Sequence, residues 1–493
     1  MSRLIPLGRP CHSLARCACA ALCVTGLAFT LAACGGSVAP STSTEPSISS
    51  TSTPTSVASS TTSASTPTSA SSSTTLQGGT GDWPTYHHDA GRSGVSSDQL
   101  PLGTVKQAWR SVALDGAIYA EPLVVDGHVL VATEANSVYA LDAATGTVVW
   151  QVNLGQAVPG SELPCGNIDP SGITGTPVVD VSSGTIYIAA FLRTGPHHEL
   201  FALDLATGTT RWHRAIDPPG LSPLVEQERG ALTLAGGRVY VPYGGLYGDC
   251  GQYQGAVVSA ASDGTGALTS YVVPTSRMAG IWNPAGLVVD STGDLWVTTG
   301  NSASQSSFDF GNAVIRLSPQ LAVLDYFAPD DWVSLNARDA DLGSLGPVLL
   351  PNNRVLAVGK TGAAYLLDGA KLGHVGGALA SAQIGSSAFG AAAVTGSMVF
   401  VPCSGALVGI QAAGDRIVVA WSLSGGHCPP IVAAGQVWSL AYDGRLTAVD
   451  PETGAVRFST QLSAPASRFF SPAAADGRLF VADGTNIAAF GLR

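Results

Sequence analysis

The stretch "VYALDAATGTVVW", residues 138–150, joins two apolar runs through an Asp and a Thr-Gly pair and closes on a tryptophan. It returns as "LFALDLATGTTRW" at 200–212 and as "LTAVDPETGAVRF" at 446–458. A recurring unit decides the fold before any single motif does. Just upstream of the phrase lies a short run rich in β-branched and aromatic residues, and runs of that kind occur eight times. They read "HVLVAT" at 128, "TIYIAA" at 185, "RVYVPY" at 238, "DLWVTT" at 294, "RVLAVG" at 354, "MVFVPC" at 398, "QVWSLA" at 436 and "RLFVAD" at 478. Each is bounded by turn formers, as a buried strand should be.

A second apolar run precedes most of these markers ("EPLVVDG", "GTPVVDV", "AGLVVDS"), and a fourth ("VVWQVNL", "TRWHRAI", "VRFSTQL") follows the turn. The unit is thus a meander of four antiparallel strands. Eight such units predict an all-β fold, an eight-bladed β-propeller whose radial packing protects the strand edges. The last unit ends at "NIAAFGLR" without a fourth run, whereas "VKQAWRSVAL" at 105–114 is a fourth-strand sequence with no unit before it. Joining the two closes the ring. Successive markers start 57, 53, 56, 60, 44, 38 and 42 residues apart. A bare blade needs about 40, so the long insertions fall early, and chemistry is expected between about 156 and 345.

Of the 493 residues 45% are hydrophobic and 12% charged, with a net charge of −11 and no Lys/Arg-rich run, which argues against nucleic acid as a partner. The N-terminus sets Arg3, Arg9 and Arg16 before an apolar run that ends in "LAAC", the order of an export signal. This ending resembles a bacterial lipobox, so residues 1–33 are expected to be removed and Cys34 to be acylated, anchoring an extracytoplasmic protein to the cell membrane. Residues 34–81 are almost purely Ser, Thr, Pro and Ala. Such a composition predicts a disordered tether. The propeller is assigned to 82–493 and is expected to be monomeric.

Four cysteines lie in the signal region and Cys34 is the lipid site, leaving Cys165, Cys250, Cys403 and Cys428. An even number in an oxidising compartment predicts two disulfides, and of the three pairings Cys165–Cys250 with Cys403–Cys428 is preferred.

The "ALD-x-x-TG-x-x-x-W" turn resembles the repeat of PQQ-like propellers, the superfamily of quinoprotein alcohol dehydrogenases and of outer-membrane-assembly propeller lipoproteins. "DWPTYHHDAGRSGVSS" at 82–97 resembles the lead-in segment of the quinoproteins. The likeness spans roughly 82–493. It implies a funnel where a Trp stacks on pyrroloquinoline quinone (PQQ), Ca²⁺ polarises the quinone, an Asp acts as base and an Arg or Lys bonds the quinone oxygens. Matched residue by residue, Trp282 in "AGIWNPAG" is the stacking residue and Asn301 in "TGN" a metal ligand. Asp339 or Asp341, before "GPVLL", is the base, and Lys360 in "VGKTGAAYLLD" is the cation.

Three departures stand beside these matches. The loop "GGLYGDCGQYQG" offers Asp249 or Gln252 but no Glu for the metal, no vicinal Cys pair exists, and no CxxCH haem motif occurs. Each candidate also has a plain structural reading: Trp282 as filler between blades, Asn301 after Gly300 as a positive-φ turn, Lys360-Thr-Gly as a hairpin turn. Asp330, Asp331, Asp339 and Asp341 read equally as a solvated loop or as a Ca²⁺ site. His87-His88 and His197-His198 read as loop residues, since neighbours on a strand point to opposite faces. Three functions follow as expectations: a funnel that binds a small ligand or a protein partner, a PQQ- and Ca²⁺-dependent alcohol dehydrogenase, and an envelope-assembly scaffold.

Overall fold

The computed structural model describes residues 81–98 and 101–493; the expected signal, the Cys34 lipid site and nearly all of the tether lie outside them. Eight antiparallel sheets follow one another along the chain, six of four strands and two of five. All eight marker runs form the second strand of a blade, from His128–Ala132 to Arg478–Asp483. The inner strands are short and buried, as in Leu123–Val125 and Ala473–Ala475, while outer strands such as Val148–Asn153 alternate exposed and half-buried residues. Blade 8 is closed by Lys106–Arg110, which pairs antiparallel with Asn486–Gly491 at the C-terminus. Blade 3 gains a short inner strand, Glu226–Gln227, and blade 4 a parallel edge strand, His374–Val375. The one α-helix among the described residues, Trp332–Ala337, spans six residues, and no described helix is long and apolar enough to cross a membrane.

The repeated phrase acts twice in this ring. Within its blade, Asp142 Oδ1 accepts the N–H groups of Ala144 (3.0 Å) and Thr145 (2.8 Å), an Asx turn that brings Gly146 to φ +75°. Asp204 and Asp450 build the same turn in blades 2 and 7. Between blades, the turn glycine is where the previous blade's outer-strand tryptophan lands. A Cβ on Gly208 would lie 2.6 Å from Trp150, on Gly264 2.7 Å from Trp212 and on Gly454 2.7 Å from Trp421. The indole N–H then donates to a carbonyl of the same turn: Trp109 to Ala143 (3.0 Å), Trp150 to Leu205 (3.1 Å) and Trp421 to Pro451 (2.8 Å). The conserved geometry of Gly here serves both the left-handed φ and the close approach.

Because neighbouring strands are antiparallel, the first-to-second and third-to-fourth turns of every blade lie at one end of the ring. Second-to-third turns and blade-to-blade connections lie at the other. The first end is crossed by residues 83–96, which bond to the strands of many blades. Trp83 pairs with Val124, Pro84 O accepts Val179 N–H, Ala90 O accepts Val289 N–H, Ser93 O accepts Val394 N–H and Ser96 N–H donates to Val432 O. Arg92, 4% exposed, spends all five donors on Ala285 O, Leu232 O, Tyr86 O, Thr85 Oγ1 and Thr233 Oγ1. Glu121 Oε1 accepts from Trp83 Nε1 (2.6 Å) and from His87 N–H (2.9 Å).

Several expectations need correction. Cys165 and Cys250 form the expected disulfide, but Cys403 and Cys428 are free, buried thiols. Both sit in apolar strand surroundings that pack them as small hydrophobes. His197 and His198 lie on a strand, His197–Asp204, rather than in a loop. His198 is buried there, bonded to Asp217 Oδ1 (2.9 Å) and stacked on Phe191. His87 is also buried, against Tyr86. Gly300 is absent from the positive-φ glycines, so a turn does not account for it.

Two outcomes follow. Gly208→Ala, which strains φ and collides with Trp150, should destabilise the protein by about 2 kcal/mol or more in denaturant unfolding. Burial pushes the Glu121 carboxyl from 4.5 to about 8, against the pull of its Trp83 and His87 hydrogen bonds. An acid that holds its proton more tightly when folded gives its full stability below the unfolded pKa of 4.5 and loses it as pH rises through about 8. Glu121→Gln, which retains an acceptor oxygen, should therefore raise the melting temperature at pH 8 and much less at pH 4.5. Equal shifts at both would refute the assignment.

Candidate functional site

Every residue singled out for cofactor chemistry comes from the open end of the ring. Asp249 lies in the second-to-third connection of blade 3, Asn301 in that of blade 4 and Lys360 in that of blade 5. Trp282 and the Asp339–Asp341 pair lie in the connections that lead into blades 4 and 5. The structure brings all six onto one cavity of ≈600 Å³. Its depth is set by glycines: a Cβ on Gly244 would stand 2.8 Å from the Trp282 Cβ, so only bare backbone lets that side chain settle there. Trp282 is thus a wall of the funnel rather than filler between blades.

Lys360 is the electrostatic hub. Its Nζ lies 2.7 Å from Asp339 Oδ1 and 2.9 Å from Asp341 Oδ2, and 5.6 Å from the centre of the Trp282 ring. Its backbone is fixed as well, Lys360 N–H donating to Asp341 O (2.8 Å). Asp341 is 3% exposed, and its second oxygen accepts the Asn301 N–H (2.8 Å), whereas the Asp339 side chain is 62% exposed. Burial raises the Asp341 carboxyl above its usual range, opposed by the adjacent ammonium. Burial also works against the Lys360 charge, but the pull of Asp341 and Asp339 outweighs it and holds the ammonium above the ordinary lysine value. Of the two acids, Asp341 therefore has the enclosed, oriented carboxylate. Asp330 and Asp331 do not line the cavity.

Asp249 is held differently. Its Oδ1 accepts the Tyr253 hydroxyl (2.6 Å) and its carbonyl accepts from Arg277, while the neighbouring Cys250 ties this loop to Cys165 in the blade 1 to blade 2 connection. No group of three or more His, Cys, Asp or Glu suited to a metal occurs among the described residues.

Sequence reasoning missed the rest of the wall. Phe389, Phe469, Arg468 and Arg229 come from connections beyond or outside the matched motifs. Phe389 and Phe469 meet the Trp282 ring at centroid distances of 6.5 and 6.2 Å. Arg468 lies over Phe389 (4.6 Å) and Arg229 over Phe469 (5.4 Å). The one available signal was "SRFFSP" at 467–472, a basic and aromatic cluster in an otherwise small-residue loop. The cavity thus pairs aromatic walls with three cations and three carboxylates, a surface suited to a flat, conjugated molecule with polar edges.

Comparison with known proteins places this geometry. The family described as "Outer membrane protein assembly factor BamB" (PQQ_2) matches residues 102–298 and 352–493, more than half of the chain. A quinohemoprotein alcohol dehydrogenase of Comamonas testosteroni is 28% identical over 166 residues, a match covering 32% of this chain and 20% of that protein. Among solved structures, a quinohemoprotein alcohol dehydrogenase of Pseudomonas putida is similar with a TM-score of 0.65 at 15% identity, over 84% of this chain and 80% of that one. BamB from Moraxella catarrhalis is similar with a TM-score of 0.53 at 15% identity, over 79% and 98%. At such identities the structures speak for the fold, and with the family match they support one conclusion: the chain belongs to the PQQ-like β-propeller family.

Proposed function

We propose that this protein is an exported, lipid-anchored binding propeller whose funnel holds a planar, anionic, quinone-type ligand of the PQQ class. The observation that carries this reading is the convergence of the Trp282 ring, the Lys360 ammonium and the Asp341 carboxylate on one cavity of ≈600 Å³. The residues fit the organic group: Trp282 offers the stacking face, Lys360 a donor for the quinone oxygens, and Arg468 faces the cavity where a carboxylate would need a partner. They fit Ca²⁺ poorly. The two carboxylates that converge do so on an ammonium, and Asp249 is occupied by Tyr253.

A second reading, a dehydrogenase, is favoured by the enclosure of Asp341. A bound quinone would supply the hydride or electron acceptor. Asp341, paired with Lys360 and aimed by the Asn301 N–H, would accept the proton of a substrate hydroxyl. The surrounding aromatic rings would exclude water from that transfer.

The test is titration of the purified protein with PQQ, with and without EDTA, followed by tryptophan fluorescence and then by dye reduction with alcohols and hydroxy acids. One site per chain is expected, insensitive to EDTA. Lys360→Ala should weaken binding at least tenfold, while Asp341→Asn should retain binding and abolish any turnover. Absence of saturable binding ends the reading. Binding without turnover leaves the first reading standing and removes the second.

A further inference from the structure

A second, smaller cavity of ≈70 Å³ adjoins the Trp282 chamber and shares Asn167, Arg229 and Phe469 with it. Tyr119, Thr174, Thr176 and Ser467 complete its polar lining, and Arg229 is the one charged residue on its wall. The guanidinium is held in place by Phe469 beneath it and by a hydrogen bond to Gln227 Oε1 (2.7 Å), which uses one of its five donors. It is therefore fixed in position with donors left to offer.

The acids nearby neutralise it only in part. Glu134 and Glu228 are both buried, each spending one oxygen on a backbone N–H, of Gly172 (2.7 Å) and Gly175 (3.2 Å), while the other oxygen has no partner. Burial pushes Glu134 up to about 7, and it pushes Glu228 well above the carboxylate range, with Glu134 raising it further. Glu228 favours the neutral form and Glu134 is half ionised near pH 7, so the Arg229 charge is only partly compensated in a small enclosed space.

We propose that this smaller cavity is a subsite for a small organic carboxylate, seated on the Arg229 guanidinium. Its size admits a handful of non-hydrogen atoms, and its hydroxyl and amide groups suit the remaining polar atoms of a hydroxy acid. As the partner of a quinone in the larger chamber, which rests on the reading above, such a molecule identifies the substrate class as hydroxycarboxylates rather than uncharged alcohols. The hydroxyl-bearing carbon would then lie toward the chamber that Asp341 lines.

The experiment is calorimetric titration of the purified protein at pH 7, without added quinone, using lactate, propionate, propanol, inorganic phosphate and sulfate. Lactate and propionate should bind once per chain and propanol not at all. Arg229→Gln should weaken carboxylate binding at least tenfold, and Arg229→Lys, which keeps the charge, should retain part of it and report on folding. Absence of saturable carboxylate binding, equal binding by Arg229→Gln, or binding of phosphate and sulfate alone would overturn the subsite. Since no quinone is present, that failure is distinct from failure of the PQQ titration.

Discussion

The ring depends on an indole laid across a glycine. A propeller blade has no covalent tie to its neighbour beyond one connection, and its faces are otherwise generic apolar surfaces that slide. Where Trp150 lies over Gly208 and Trp421 over Gly454, each with an N–H held by a turn carbonyl, sliding costs a hydrogen bond and a fitted contact together. The Asx turn that shapes the glycine is what makes the landing place reproducible. Blades 3 to 6 have lost parts of this device, and they are the blades whose opposite ends carry most of the cavity.

That division of labour is geometric. Antiparallel strands send the turn with the repeated phrase to one end and the functional connections to the other. The phrase can therefore be kept for packing while residues 246–255, 273–287 and 329–347 vary, because no strand passes the constraint from one end to the other. Lys360, Asp341 and Trp282 come from different connections yet meet within a few ångströms, since each connection folds back toward the axis of the same rigid ring. The position of the ion pair is thus a property of the scaffold, and its chemistry a property of the loops.

Period and strand order were legible because each blade restates them: eight marker runs became eight second strands, and the unpaired run near residue 105 became the closing strand. The motif-borne residues Trp282, Asn301 and Lys360 were legible for a similar reason, being attached to recognisable strand ends. Arg229 and Phe469 were not, because they lie 240 positions apart and meet only through closure of the ring, which periodicity does not encode. The thiols failed for another reason. Parity assigns partners to Cys403 and Cys428, but each is packed in a separate apolar cluster beside a strand end, and burial alone accounts for both. His198 was misread because a polar pair suggests a loop, while Asp217 and Phe191 make a strand position acceptable.

The segment 83–96 also fixes an order of events. It is the first part of the propeller to be synthesised, yet its hydrogen bonds reach strands of blades 1, 2, 4, 6 and 7, and Lys106–Arg110 just behind it pairs with the final strand. The segment finds all its partners only after residue 432 has emerged, and the Lys106–Arg110 strand only after residues near 490 have. The blades in between can form one by one from local meanders, but the ring itself stays an open arc until the strand Asn486–Gly491 is there to pair with Lys106–Arg110. The chain therefore has a built-in delay: it remains pliable while it is being made and locks only when its last strand arrives.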